Sequence, residues 1–509
     1  MDRRSVLRGG LAVGGGAALG LVNGGPAAAA LVRSGRPKLT HGIQSGDVTA
    51  HEAVVWARSD SPARMLVELS RRPDFKGAHR VRGPWLSPNS DLTGKTFLRG
   101  LPAGEEIHYR VTLEGHKTLS EGEAGVLRTA PRTAQDISFV WSGDLAGQGW
   151  GINQEFGGYR IFKAMGALDP HFFLCSGDFI YADGPLSETV KLPDGRVWRN
   201  LVTPEKTKVA ETLAEYRGQF RYNLHDANLR AFNAKVPLIY QWDDHEVVNN
   251  WYPGEILELP QYTEKRVDVL AARARQAMFE YNPIAAKDPR NGRVYRKLSY
   301  GPLLDVFVLD MRTYKDANGA NNSPTHKDGV LGAEQLAWLK RELRRSKATW
   351  KVMAADLPIG LIVPDGTAFE GIAQGDNGAP LGREREIADL LSFAKKQKVR
   401  NMVWLTADVH STAAHYYDPA KAAFKDFDPF WEFVSGPLNA GAFALSPLES
   451  TFGPERPFGV GAPAPNTSPA GGYQFFGQVE IDAASHRLTV TLRDIDGKAL
   501  YTKPLTPAL

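Results

Sequence analysis

Four short apolar runs in this chain each end in an aspartate, and that recurrence narrows the folds open to it. Ile137-Ser138-Phe139-Val140-Trp141 leads into Ser142-Gly143-Asp144, and Phe172-Phe173-Leu174-Cys175 into Ser176-Gly177-Asp178. Leu238-Ile239-Tyr240-Gln241-Trp242 leads into Asp243-Asp244-His245-Glu246, and Met402-Val403-Trp404-Leu405-Thr406-Ala407 into Asp408-Val409-His410. An apolar run this short, stopped by a turn signal, reads as a buried strand. In open α/β sheets, ligands collect beyond the carboxyl ends of the strands. Gly177 allows a tight turn that leaves Asp178 projecting into such a crevice. Tyr181, three residues on, offers a second oxygen to the same hard cation, and Asp183 follows it. One stretch of this kind is equally well a strand and a solvated turn. Four of them gather carboxylates that repel one another unless cations lie between. The reading is therefore a polynuclear metal site at the strand ends of one α/β domain.

The rest of the chain divides around that domain. Its 509 residues, 42% of them hydrophobic, are enough for two or three domains. Between His41 and about Arg132, strands such as Ala53–Ala57, Met65–Leu69, Thr96–Leu98 and Ile107–Leu113 are broken by glycine and proline. This spacing predicts a small, fibronectin-like β-sandwich over residues 38–132. Its histidines, at 41, 51, 79, 108 and 116, have no ligand spacing and read as surface or packing residues. From residue 133 to 509, strands alternate with helical stretches at Gly158–Met165, Ala210–Phe220, Val267–Tyr281, Ala333–Lys347 and Arg383–Lys396. That alternation predicts layered α/β sheets. Gly184–Thr203 and Pro364–Pro380 read as long loops, which in a compact domain are usually functional.

Residues 1–30 read as a twin-arginine signal peptide. Arg3-Arg4 sits in a basic start, Gly9 to Val22 is weakly apolar, and Ala27 to Ala30 supplies small residues for cleavage. This implies export of the folded protein by the twin-arginine machinery to the periplasm or beyond. No later segment is apolar enough for a span, so no transmembrane segment is expected in the mature form. The net charge of +4 is spread without a basic block, which gives no support to nucleic-acid binding. Cys175 is the single cysteine, so no intramolecular disulfide can form. It reads as a packing residue in a strand.

An ordered set of motifs then points to a family. GDFIY at Gly177–Tyr181, DDHE at Asp243–Glu246, LDMRTY at Leu309–Tyr314, ADVH at Ala407–His410 and EFVSGP at Glu432–Pro437 resemble PhoD-type alkaline phosphatases. These enzymes, called alkaline phosphatase D, are a branch of the calcineurin-like metallophosphoesterases. The resemblance covers essentially the whole chain. It implies a two-sheet αββα metallophosphoesterase sandwich preceded by the small β-sandwich. It also implies a centre of one ferric ion with calcium ions. Asp178 would bridge metals, Tyr181 would bind iron through its phenolate, and His410 would join it there. Asp244 and Asp408 would serve calcium, and Asp356, in AADLPIG, is a further candidate. Better-known members carry a cysteine in the first motif, where this chain has Asp144. A hard carboxylate in place of a thiolate opens that position to iron, zinc, manganese or calcium.

The expected chemistry is hydrolysis of phosphomonoesters and phosphodiesters by metal-activated water or hydroxide. His245, flanked by acids, is the expected general acid for the leaving group. Arg312 is expected to grip a phosphate oxygen, with Arg160 a weaker candidate for the same task. Two other readings compete: a phosphodiesterase specialised for phospholipid head groups or cell-wall polyol phosphates, and a non-catalytic surface-binding protein with a degenerate metal site. The intact set of Asp178, Asp244, His245, Asp408 and His410 argues against the latter. The absence of a G-x-S-x-G elbow disfavours a serine hydrolase.

Overall fold

The computed structural model describes residues 36–286, 292–325 and 329–508. The leader expected at residues 1–30 lies outside them. Two large sheets dominate. In the first, of nine strands, Ile137–Ser142, Phe173–Ser176 and Leu238–Gln241 lie side by side and parallel. In the second, of seven, Leu304–Val308, Trp350–Ala354, Met402–Thr406 and Phe430–Val434 are parallel neighbours. These strands are apolar on both faces because both faces are covered.

One core lies between the sheets. Trp141, Leu174 and Ile239 of the first sheet cluster with Val306, Val352, Val403 and Leu405 of the second, all almost fully buried. Trp141 also donates its indole N–H to the Thr406 carbonyl at 3.3 Å, tying together the two strand ends that carry site residues. A second core joins the first sheet to helices Ile161–Ala167, Leu213–Asn223, Ala227–Asn233 and Val267–Tyr281. A third joins the second sheet to Gly332–Arg345 and Glu384–Lys396. In the last helix Ile387, Leu390, Leu391 and Ala394 are buried, the spacing of one helical face.

Helix Val267–Tyr281 occupies its expected span, and the other four expected helices start or end a few residues away. Leu213–Asn223 begins where Thr212 and Glu215 cap each other's backbone N–H groups, a capping box. Helix Ala227–Asn233 falls outside the expected set. Its signal is Asp226, whose carboxylate accepts the Leu229 N–H at 2.8 Å. The two stretches read as loops hold short hairpins, Thr189–Lys191 with Val197–Arg199 and Pro364–Asp365 with Ala368–Phe369.

The N-terminal strands enclose a core of their own and also continue the first sheet. Leu39–Gly46, Glu52–Ser59 and Thr93–Arg99 extend the nine-stranded sheet, through parallel pairing of Gly46 with Leu238. A four-stranded sheet, including Ala63–Ser70 and Glu106–Glu114, shares a core with them, in which Val55, Met65, Val67 and Val111 are fully buried. The sheet is therefore continuous across residue 132. No helix among the described residues is long and apolar enough to cross a membrane.

Candidate metal centre

The carboxyl ends of both sheets meet at one rim, and the four aspartate-bearing turns converge there. Asp144 and Asp178 each lie two residues beyond a strand of the first sheet, Asp243 and Asp244 just beyond a third, and Asp408 two residues beyond a strand of the second. Asp144, Asp178, Asp408 and His410 hold φ angles of 63°, 49°, 65° and 51°. Non-glycine residues adopt this left-handed region at a cost, and such positions cluster at functional sites.

Three groups of ligand atoms form, each drawn together within 4.8 Å: Asp144, Asp178 and His410; Asp178, Asp244 and His245; Asp243, Asp244 and Asp408. Asp178 and Asp244 each belong to two groups, so the three are contiguous. The Tyr181 hydroxyl lies 2.8 Å from Nε2 of His410. Nδ1 of His410 lies 2.5 Å from the Gly441 carbonyl, which leaves Nε2 as the ligating nitrogen. Burial holds the His410 pKa down at about 4, so the ring is neutral, as a metal ligand must be.

Asp144 tests whether these residues fit a cation. Its side chain is 1% exposed, and neither carboxylate oxygen has a hydrogen-bond partner. Burial pushes its pKa well above the usual carboxylate range. A buried carboxylate without donors is costly, and a cation beside His410 and Asp178 removes that cost. The donor set fits a metal. Two glycines hold the geometry. A Cβ on Gly436 would stand 2.1 Å from the Asp144 carboxylate, and one on Gly147 would stand 2.1 Å from the Tyr181 ring.

His245, partly buried, packs against the same groups. Its Nδ1 bonds to both oxygens of Asp183, at 2.8 and 2.9 Å, and its ring stacks on Tyr181 with centroids 4.2 Å apart. Burial disfavours the imidazolium, but the carboxylates of Asp183, Asp244 and Asp178 outweigh it and hold the pKa well above the usual value. Asp244 shows the converse. Burial would raise its pKa, yet His245 and Arg312 bring it down to about 2.

Sequence reasoning missed Glu246. Its carboxylate accepts the backbone N–H groups of Asp178 (2.9 Å), Phe179 (2.8 Å), Ile180 (3.3 Å) and Asp243 (2.8 Å), and the Tyr240 hydroxyl at 2.7 Å. It knits the Asp178 turn to the Asp243 turn. The available signal was an acid three residues after Asp243, close enough to accept that turn's amide.

Three expectations change. Arg312 is enclosed by carboxylates and does not line the cleft at this rim. Its side chain is fully buried, and its three nitrogens are taken by Asp243, Asp356, Glu370 and Asp408. Carboxylates brought together by four strand ends need a resident cation, and Arg312 is that cation on the inner side of the site. Asp356 is fully buried on the same guanidinium, 3.1 Å away, and belongs to none of the three ligand groups. Arg160 lies away from the rim, paired with Asp496 at 2.5 Å and stacked on Phe156. Cys175 packs fully buried in its strand.

The rim opens into a cleft of about 500 Å³, lined by Asp178, Asp244, His245, Asp408 and His410 together with Asn250, Pro364 and Phe443. Negative charge in such a cleft suits cations, and cations there suit a phosphate.

Residues 139–492 match the family described as PhoD-like phosphatase, and residues 25–131 match its N-terminal domain. The chain is 30% identical over 430 residues to alkaline phosphatase D of Bacillus subtilis (strain 168), covering 79% of this chain and 69% of that one. A solved structure of PhoD superposes with a TM-score of 0.69 at 21% identity, covering 92% and 88% of the two chains. The purple acid phosphatase PPD1 of yellow lupin (Lupinus luteus) superposes with a TM-score of 0.56 at 14% identity, covering 93% and 74%. These last two are likenesses of fold: mixed α/β with several sheets. The chain belongs to the PhoD-like phosphatase family, and it is a metal-dependent phosphoesterase.

Proposed function

We propose that this protein is an exported hydrolase of phosphomonoesters and phosphodiesters with two adjoining cation positions. Asp144, Asp178, Tyr181 and His410 would hold the first cation, and Asp178, Asp244 and Asp408 the second, with Asp178 shared. A phenolate with hard carboxylates suits ferric iron at the first position, and zinc or manganese also accept this set. An all-carboxylate second position suits calcium. When bound, the cations neutralise phosphate oxygens and bring the pKa of water towards neutrality.

The chain's own residues do the rest. Asp183 holds Nδ1 of His245, which leaves Nε2 to hand a proton to the departing alkoxide. The Tyr181 ring beneath that imidazole fixes its plane. Glu246 keeps the Asp178 and Asp243 turns in register, and Arg312 neutralises the carboxylates behind them. We read the architecture as an αββα sandwich over residues 133–509, preceded by a leader at 1–30 and a β-sandwich at 38–132. The twin arginine at Arg3-Arg4 supports export.

The observation that carries the reading is Asp144, buried with both carboxylate oxygens unpartnered, next to Asp178 and His410. The test is turnover of p-nitrophenyl phosphate and bis-p-nitrophenyl phosphate by protein of known metal content. Activity that falls on chelation and returns with metal is expected. Metal-loaded protein that turns over neither ester would overturn the reading.

A further inference from the structure

A second acidic group lies outside the catalytic rim. Asp376, Glu384 and Glu449 bring carboxylate oxygens within 4.8 Å of one another. They come from three segments: the long loop after Pro364, the first turn of helix Glu384–Lys396, and the stretch before Pro454. Glu384 and Glu449 are 1% and 2% exposed, whereas Asp376 reaches solvent.

The backbone holds this group in place. Glu449 accepts the N–H groups of Gln374 and Asn377, each at 3.0 Å, and the Thr451 hydroxyl at 3.0 Å. One oxygen of Glu384 accepts the Leu381 N–H and the Gln374 side-chain amide, each at 3.1 Å. Its other oxygen, Oε1, is buried with no donor, and the group set against Glu384 is the Glu449 carboxylate. Burial, Glu449 and Asp376 push the Glu384 pKa up to about 10. Two buried carboxylates face to face need either a shared proton or a cation between them. A shared proton uses two carboxylates. The third, Asp376, stands at the solvent edge, where it completes a ligand set and leaves an entry path.

We propose that Asp376, Glu384 and Glu449 form a binding site for a hard divalent cation of the calcium class, separate from the catalytic centre. All three donors are carboxylate oxygens, with no imidazole or thiolate to favour zinc or iron. Its place in the fold gives it a task. Leu361 bridges to Leu448, and the Ile362 N–H meets the Pro447 carbonyl at 3.0 Å. The adjoining residues Val363, Pro364, Phe443 and Ser446 line the catalytic cleft. A cation here would fasten both wall segments to the helix behind them. The inference does not depend on the catalytic reading, since a catalytically inert protein would still bind calcium here.

The experiment is calcium titration of the full chain after chelation, with bound calcium counted per chain and Tm followed. Wild type is compared with Glu384→Gln/Glu449→Gln, with Asp376→Asn, and with Asp244→Asn/Asp408→Asn. The Glu384→Gln/Glu449→Gln protein should bind one calcium fewer than wild type and lose part of the calcium-induced rise in Tm. The Asp244→Asn/Asp408→Asn protein should keep that calcium. Asp376→Asn, an exposed change that spares folding, should weaken this binding by about tenfold or more. Equal calcium binding by wild type and Asp376→Asn, with a protonated-carboxyl infrared band that vanishes in Glu384→Gln, would overturn the proposal in favour of a shared proton.

Discussion

Nδ1 of His245 meets both carboxylate oxygens of Asp183, at 2.8 and 2.9 Å. The contact spans 62 residues of sequence and leaves one imidazole nitrogen for the cleft. A general acid matters most when the leaving group is a poor one. His245→Asn should lower kcat by about 10²–10⁴-fold for alkyl phosphates, and far less for p-nitrophenyl phosphate, whose phenolate departs without a proton. Asp183→Asn should give the same pattern with smaller losses. The measurement is kcat/KM across leaving groups of graded pKa. Equal losses for all of them would remove His245 from the acid role.

Arg312 sits among Asp243, Asp356, Glu370 and Asp408 with no side-chain exposure. Removing one partner from a buried ionic group costs about 3–5 kcal/mol. Arg312→Met should therefore lower stability to denaturant by that order and impair metal retention. A residue that gripped phosphate would instead raise KM while stability stayed constant, and denaturation read beside steady-state kinetics separates the two.

The Tyr181 ring lies where a Cβ on Gly147 would stand 2.1 Å away. Gly147→Ala should displace the phenol from His410 and so loosen the cation held with Asp144. The expected result is a fold-competent protein, by far-UV dichroism, that carries less metal and turns over less ester. Unchanged metal content and activity would mean that Tyr181 is not a ligand.

Lys95, on the edge strand Thr93–Arg99 of the first sheet, ties it to the end of helix Val267–Tyr281, donating to the carbonyls of Phe279 (2.7 Å) and Ile284 (2.9 Å). Burial, opposed by Asp47, lowers its pKa from 10.5 to about 8. With the folded pKa below the unfolded one, the unfolded chain binds more protons between pH 8 and 10.5, and this group's contribution to stability rises with pH across that window. Lys95→Met should flatten that part of the stability–pH curve. A curve of unchanged slope would refute the assignment.

Much of the site was legible because strand ends are local features. An apolar run, a turn residue and an aspartate are adjacent in sequence, so Asp144, Asp178, Asp244, Asp408 and His410 could be picked out before any contact was known. The same local logic covers helices Val267–Tyr281 and Glu384–Lys396, where apolar spacing sets the buried face. It failed at Ala227–Asn233, a helix too short for periodicity to register, whose only mark is the Asp226 cap.

The sequence by itself determined which residues stand at the ends of buried strands, because hydrophobic period and turn chemistry act over a few residues. Only the tertiary structure decided what those residues meet. The Arg312 side chain carries the same charge in a substrate cleft or in a carboxylate cage, and the register of strands 44 to 96 residues away places it in the cage. Glu246 could have been a solvated acid, but the approach of the Asp178 turn gives it three N–H donors. The continuity of the first sheet rests on Gly46 pairing with Leu238. Each of these is a contact between segments far apart in sequence, where local preference is silent and packing of the whole chain decides.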